Sequence, residues 1–294
     1  MAENTYDRTI QDVGNILALE HVNVTVPNQE IATLFYVSAL GFTRDPYMMV
    51  GPENMWINVG QQQFHLPTRD PQVIPGHIGL VVPDLEELKA RLMKVQPKLA
   101  GTTFTCSVEN GYVAVTCPWG NQFRCYAPGP QFGDMILGIP YVEFLVKPGI
   151  AAGIGQFYKE VMQAPYTLTQ DMCSAATRVR IGRTQALVFR ETSEDIPTYD
   201  GHHIAVYITN FSGPHSWLKR HNLITEESNE YQYRFKDIVH PETDRKLFTI
   251  EHEVRSLTSP MYGRELVNRN ASQNIMAYAS GRDVLTSVPM RAGV

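Results

Sequence analysis

Four histidines stand inside or beside short apolar runs, where a side chain has one of two faces to choose. His21 lies in Leu19-Glu20-His21-Val22-Asn23-Val24-Thr25-Val26, and His65 in Phe64-His65-Leu66. His77 lies in Gly76-His77-Ile78-Gly79-Leu80-Val81-Val82, and His203 in His202-His203-Ile204-Ala205-Val206-Tyr207-Ile208. Neutral imidazole is the commonest protein metal ligand and a proton carrier near neutral pH. A strand histidine is equally at home as a hydrogen-bonded structural group. Glu251, in Phe248-Thr249-Ile250-Glu251, adds a carboxylate, and Tyr141 opens the run Tyr141-Val142-Glu143-Phe144. Arg124, in Gly120-Asn121-Gln122-Phe123-Arg124, carries a permanent charge. It cannot ligate a metal, but it can hold an anion bidentately. The four cysteines, Cys106, Cys117, Cys125 and Cys173, sit at no metal spacing and read as small packed hydrophobes.

The chain around these groups has 294 residues, 43% hydrophobic and 19% charged, an ordinary globular composition of about two domains. Its net charge of −5, with no basic run, argues against nucleic acid or an anionic membrane as partner. No stretch approaches the ~18 apolar residues of a membrane span. The polar start, Met1 to Asp12, does not read as a signal peptide, so the expected location is cytoplasmic, with reduced thiols. The expected partner is a small-molecule substrate, with a homodimer possible in principle.

The chain repeats itself. Each of the four apolar runs is followed by a helical pattern, roughly Ile31–Leu40, Leu85–Val95, Ala151–Met162 and Gly213–His221, and then by three β-type runs. Equivalent first-strand positions are 21, 77, 141 and 203, so the copies are 56, 64 and 62 residues apart. Gly41 closes the first helix, where a left-handed cap suits glycine. Phe35-Tyr36 and Phe157-Tyr158 recur on the first and third helices and are expected in the core. A βαβββ unit of this size cannot bury both faces of its sheet alone, so the units should pair. The expected fold class is α+β, with four βαβββ modules pairing into two cup-shaped half-barrel domains. The Gly- and Pro-rich stretch Pro128 to Ile139 reads as the joint. The expected domains are 1–130, 138–270 and a tail, 271–294.

This pattern resembles the vicinal oxygen chelate superfamily, which includes glyoxalase I, bleomycin-resistance proteins and extradiol dioxygenases. The resemblance rests on His21-Val22-Asn23-Val24 with Phe35-Tyr36, Leu40-Gly41-Phe42 and Phe64-His65-Leu66. In the second copy it rests on His77-Ile78-Gly79-Leu80-Val81-Val82, Asp84-Leu85 and Pro118-Trp119-Gly120-Asn121. It implies that two modules form a cup, with metal ligands on the first and last strands of each. Modules one and two are expected to share an N-terminal cup with His21, His65 and His77 as ligands. Arg124 stands there where relatives usually carry Glu. Modules three and four would share a C-terminal cup, with Tyr141 in place of a histidine and with His203 and Glu251 as a second-choice ligand set. Glu143, two residues after Tyr141, could substitute as a ligand.

The resemblance implies a divalent metal, Fe(II) first, otherwise Zn, Mn or Ni, and a metal-dependent enzyme, an oxygenase ahead of an isomerase. The alternative is a metal-free sequestration protein of the bleomycin-resistance type. Arg124, Tyr141 and Tyr262 are the expected substrate-binding groups. Ser256 to Asn270 reads either as a lid carrying Tyr262 and Arg264 over a cup mouth, or as a docking segment, or as a structural strap.

Overall fold

Each repeat folds as one βαβββ unit in the computed structural model, which describes residues 6–48, 51–170 and 174–267, with Gln273 and Tyr278. Module one is β1 (Ile16–Asn23), α1 (Gln29–Ala32), β2 (Thr43–Arg44), β3 (Asn54–Val59) and β4 (Gln62–Pro67). Module two is β5 (Gly76–Val81), α2 (Leu85–Val95), β6 (Thr105–Glu109), β7 (Tyr112–Thr116) and β8 (Gln122–Tyr126). Module three is β9 (Tyr141–Val146), α3 (Ala151–Glu160), β10 (Tyr166–Gln170), β11 (Ala175–Ile181) and β12 (Gln185–Glu191). Module four is β13 (His203–Ile208), α4 (Ser212–Arg220), β14 (Ile224–Asn229), β15 (Gln232–Val239) and β16 (Lys246–Ser256). Among the described residues, no helix is long and apolar enough to cross a membrane. Cys173 and most of the 271–294 tail lie outside the described residues.

The helix starts follow from side-chain capping. Asn28 Oδ1 accepts from the Ile31 amide at 2.9 Å, and Asp84 Oδ1 from Glu86 and Glu87 at 2.8 and 3.0 Å. In module one the helix continues as a π-helical stretch, Thr33–Ala39. Gly41 then turns the chain at φ +80°, and the Arg91 guanidinium covers it. A Cβ at residue 41 would lie 2.8 Å from that group. Arg91 donates to the Ala39 and Leu40 carbonyls, so a cation satisfies the open helix end. Strand β2 stops at Arg44, because Asp45 Oδ1 accepts from the amides of Tyr47 and Met48 and turns the chain.

The modules form two eight-stranded sheets, and the pairing differs from the expected one. The first sheet runs β14-β15-β16-β13-β1-β4-β3-β2, and the second β10-β11-β12-β9-β5-β8-β7-β6. Module one therefore shares a cup with module four, and module two with module three. The joints are antiparallel pairs of first strands, β1 with β13 and β5 with β9. Modules one and two, and likewise three and four, meet through their helices and the outer faces of their sheets. Phe35 and Tyr36 contact Phe123 at ring-centroid distances of 5.7 and 6.3 Å, and Phe157 contacts Phe235 and Trp217 at 5.9 and 6.1 Å. The Phe-Tyr pairs are fully buried, as expected of core. Each such ring contributes roughly 1.5–3 kcal/mol by leaving water. With its helical face already buried against its sequence neighbour, each module has a first-strand edge left to offer, and the opposite half of the chain takes it.

The 128–139 joint is tied into both sheets. Gln62 Oε1 accepts from the Ile139 amide at 3.0 Å, and Gln185 Nε2 donates to the Ile139 carbonyl at 2.8 Å. Gln185 Oε1 also accepts from the Leu19 amide of β1.

The segment after β16 lies along module one as a strap. Tyr262 meets Tyr207 edge-on at 4.9 Å, and Asn58 and Tyr47 donate to the carbonyls of Leu266 and Val267. Arg264 is buried, donating to Asp45 Oδ2 at 2.6 Å and Gln63 Oε1 at 3.0 Å. Breaking a buried ion pair strands the surviving charge, which costs about 3–5 kcal/mol. Arg264→Met is therefore expected to lower stability by about that much, and the double variant Asp45→Asn, Arg264→Met to recover most of it. Urea unfolding of the four proteins of this cycle measures both effects.

His252 gives the fold an acid limit. It lies on the outer face of β16, stacked on Phe235 at 4.3 Å, with Nε2 2.6 Å from the Tyr158 hydroxyl. Burial lowers its pKa to about 4. The unfolded residue takes a proton near pH 6.5, whereas the folded one refuses it until about pH 4, so stability falls as pH drops through this window. The loss between pH 7.5 and pH 5 from this residue should be about 2 kcal/mol. In the double variant Tyr158→Phe, His252→Phe, the pH dependence of the urea midpoint should shrink by that amount.

Candidate metal centre and a second, cationic cup

Strand alternation decides which side chains enter the first cup. One cross-strand row carries His65 on β4, Asn23 on β1, His203 on β13 and Glu251 on β16. The next carries Gln63, His21, Ala205 and Glu253 on the same four strands. A register shift between Leu19 and His21 marks a β-bulge in β1, and it turns Glu20 and His21 toward one another, with Oε2 3.4 Å from Nδ1. Bulges recur beside functional sites because they re-aim side chains in this way.

His21, His65 and His203 converge here, each offering a ligand atom within 4.8 Å of the others. Their ring centroids lie 5.7 Å apart for His21–His65 and 5.6 Å for His21–His203. Trp56 stacks on His65 at 3.9 Å and meets His21 edge-on at 4.8 Å. His65 Nε2 lies 2.6 Å from Asn54 Oδ1, and with that nitrogen assigned as the donor, Nδ1 keeps its lone pair. Burial, then the neighbouring His21, lowers the His65 pKa to about 2, and the same two causes hold His203 well below the ordinary range. Both imidazoles are therefore neutral, the form that binds a metal. Both nitrogens of His21 and Nε2 of His203 are buried with no hydrogen-bond partner. Leaving three such atoms unmet is costly. A divalent ion among them would take one nitrogen of His21 and Nε2 of His203, with Glu20 lying 3.4 Å from His21 Nδ1, so the donor set fits the metal that the resemblance implies.

Carboxylates and guanidiniums alternate around the imidazoles. Arg255 pairs with Glu20 at 2.5 Å and with Glu253, and Arg234 pairs with Glu251 at 2.6 Å and with Glu253. Burial pushes Glu253 up, but Arg255 ahead of His21 and Arg234 overrides it, holding the pKa at about 2. The Tyr207 hydroxyl donates to Glu20 at 2.9 Å. Glu251 Oε1 is 3.7 Å from His203 Nδ1. Three acids face two bases, so this wall carries a net negative charge that favours a cation. Sequence reasoning passed over Glu20, Glu253, Arg234, Arg255, Asn54 and Trp56. One signal was present, since Glu251, Glu253 and Arg255 follow at period two and must share a face.

His77 belongs elsewhere, so the expected triad of His21, His65 and His77 is not assembled. Its cup is the second one, because β5 pairs with β9 of module three. There His77 Nε2 lies 3.0 Å from the Tyr141 hydroxyl, which in turn lies 2.9 Å from that of Tyr126. Gly79 makes room for Tyr141, since a Cβ there would lie 2.4 Å from the ring. Glu143, the suggested substitute ligand, is held 3.4 Å from His77 Nδ1 and 3.2 Å from Arg190 Nε. Burial, then Arg124 and Arg190, lowers the His77 pKa to about 3. Of the expected substrate-binding groups, Arg124 and Tyr141 are in this second cup, while Tyr262 stands at the strap of the first. His203 and Glu251, expected apart from His21, are beside it.

No protein-family model matches the chain, and no curated protein does. Solved structures do. Glyoxalase I from Zea mays superposes with a TM-score of 0.57 at 12% identity, over 82% of this chain and 92% of that one. A "putative dioxygenase" from Bacillus subtilis superposes with a TM-score of 0.54 at 15% identity, over 82% and 86%. At such identities the likeness speaks for the fold. Four βαβββ units in two eight-stranded sheets superpose on those structures along most of their length, and the chain has the vicinal oxygen chelate fold.

Proposed function

We propose that this chain is a metal-dependent enzyme whose centre is the first cup, with His21, His65 and His203 as ligands and Glu251 beside them. The carrying observation is the convergence of three imidazoles, with buried nitrogens of His21 and His203 that lack partners. Fe(II) is the preferred ion, then Zn, Mn or Ni, since imidazole suits all four. When bound, such an ion supplies Lewis acidity to two adjacent oxygens of a small substrate, and iron adds one-electron chemistry.

The residues around the site favour an oxygenase over an isomerase. An isomerase needs a carboxylate whose pKa suits moving a proton near neutral pH. Glu253 is held at about 2 and Glu20 is tied to Arg255, so these acids serve as structural anions that fix the arginines and imidazoles. Trp56 and Tyr207 give the wall aromatic surface, which suits an acidic or aromatic substrate. Tyr262, 41% exposed at the strap, is placed to contact such a substrate at the rim. The unpaired thiols of Cys106, Cys117 and Cys125 support a reducing, cytoplasmic location.

Elemental analysis tests the metal. Protein purified without chelator is expected to hold about one divalent ion per chain, lost in His21→Ala and in His203→Ala and kept in His77→Ala. Metal-free wild type, or metal kept in both of the first two variants, would leave a binding protein as the better reading. Asn54→Ala, which removes the partner of His65 Nε2, is expected to weaken metal affinity about 10–100-fold without abolishing it. Competition with a metal-sensitive dye measures that shift.

A further inference from the structure

The second cup has the same frame as the first and the opposite charge. One row across it carries His77 on β5, Glu143 on β9, Val188 on β12 and Arg178 on β11. Arg124 on β8 lies opposite Gly79 on β5 and Ala114 on β7. Strand alternation puts these on one face, where the Tyr141 ring covers Gly79. Arg190, on β12, is neutralised by Glu143 at 3.2 Å. Among the described residues, neither Arg124 nor Arg178 has a carboxylate within ion-pair distance. Arg124 rests over the Tyr112 ring at 5.3 Å instead. The other acid on this face, Glu109, sits on outermost β6 and accepts from Ser107 at 2.7 Å. Hydroxyls of Tyr126 and Tyr141 line the floor beside His77.

We propose that this cup binds a small dianion, a phosphate monoester or a dicarboxylate, between Arg124 and Arg178, without a metal. Two guanidiniums free of acid partners match two negative charges, and planar forks bind such oxyanions bidentately. Tyr141, packed against Gly79 with its hydroxyl 3.0 Å from His77 Nε2, offers that hydroxyl to the same anion. Glu143 limits the affinity, because its charge opposes the ligand while it holds Arg190.

Calorimetric titration of the full-length protein with inorganic phosphate, and separately with malonate, tests this and distinguishes the two sources of charge. Saturable binding at one site is expected for at least one of them. It should weaken about tenfold or more in Arg124→Ala and in Arg178→Ala. Glu143→Gln should tighten it, an effect that misfolding cannot imitate. His21→Ala should leave it unchanged, so the result stands or falls apart from the metal centre. No saturable binding of either anion, full affinity in both arginine variants, or loss in His21→Ala would overturn the proposal.

Discussion

Main-chain pairing between the first strands of modules from opposite halves of the chain governs the molecule. β1 with β13 and β5 with β9 are antiparallel ladders between residues some 180 and 65 positions apart, and no side-chain contact sets the cups so directly. Beyond the bulge in β1, alternation along β1, β13 and β16 fixes that His21, His203 and Glu253 share a face. It also fixes that His77 cannot join them. The helices then occupy the opposite faces, where Phe35, Tyr36, Phe157 and Tyr158 fuse sequence-adjacent modules into apolar cores. The two kinds of contact cross-link the chain, with cores joining the modules within each half and sheets joining one half to the other.

The two cups show how one frame acquires opposite tasks. In the first, Glu20, Glu251 and Glu253 outnumber Arg234 and Arg255, and the imidazoles of His65 and His203 stay neutral among them. In the second, Arg124, Arg178 and Arg190 outnumber Glu143, and the imidazole of His77 is depressed by burial, then by Arg124 and Arg190. Equivalent strand positions thus carry cation-seeking and anion-seeking walls. The strap adds to the difference, since Arg264 reaches Asp45 and Gln63 on the first sheet.

Local features were legible in the sequence because local physics determines them. The Asn28 and Asp84 caps, the left-handed Gly41, the Phe-Tyr core residues and most strand positions follow from propensity and period. What periodicity cannot carry is the choice of partner for a free strand edge. His21, His65 and His203 were each visible as inward candidates, yet their grouping required knowing that β1 meets β13. The reading of His77 failed for that reason alone. Glu20 was hidden differently, since a bulge breaks the alternation on which the reading depends.

The joining of β1 to β13 also has a consequence for how the chain is made. As synthesis proceeds from the N-terminus, module one is complete once residue 67 has emerged, but its edge partner ends at residue 208. At about 5–20 residues per second, that edge waits on the order of ten seconds with unpaired amides and carbonyls. An open edge of apolar strand is a template for the wrong neighbour. The nascent protein is therefore most vulnerable to aggregation midway through translation, and slow codons or chaperones acting over that interval would govern its yield more than the stability of the finished fold.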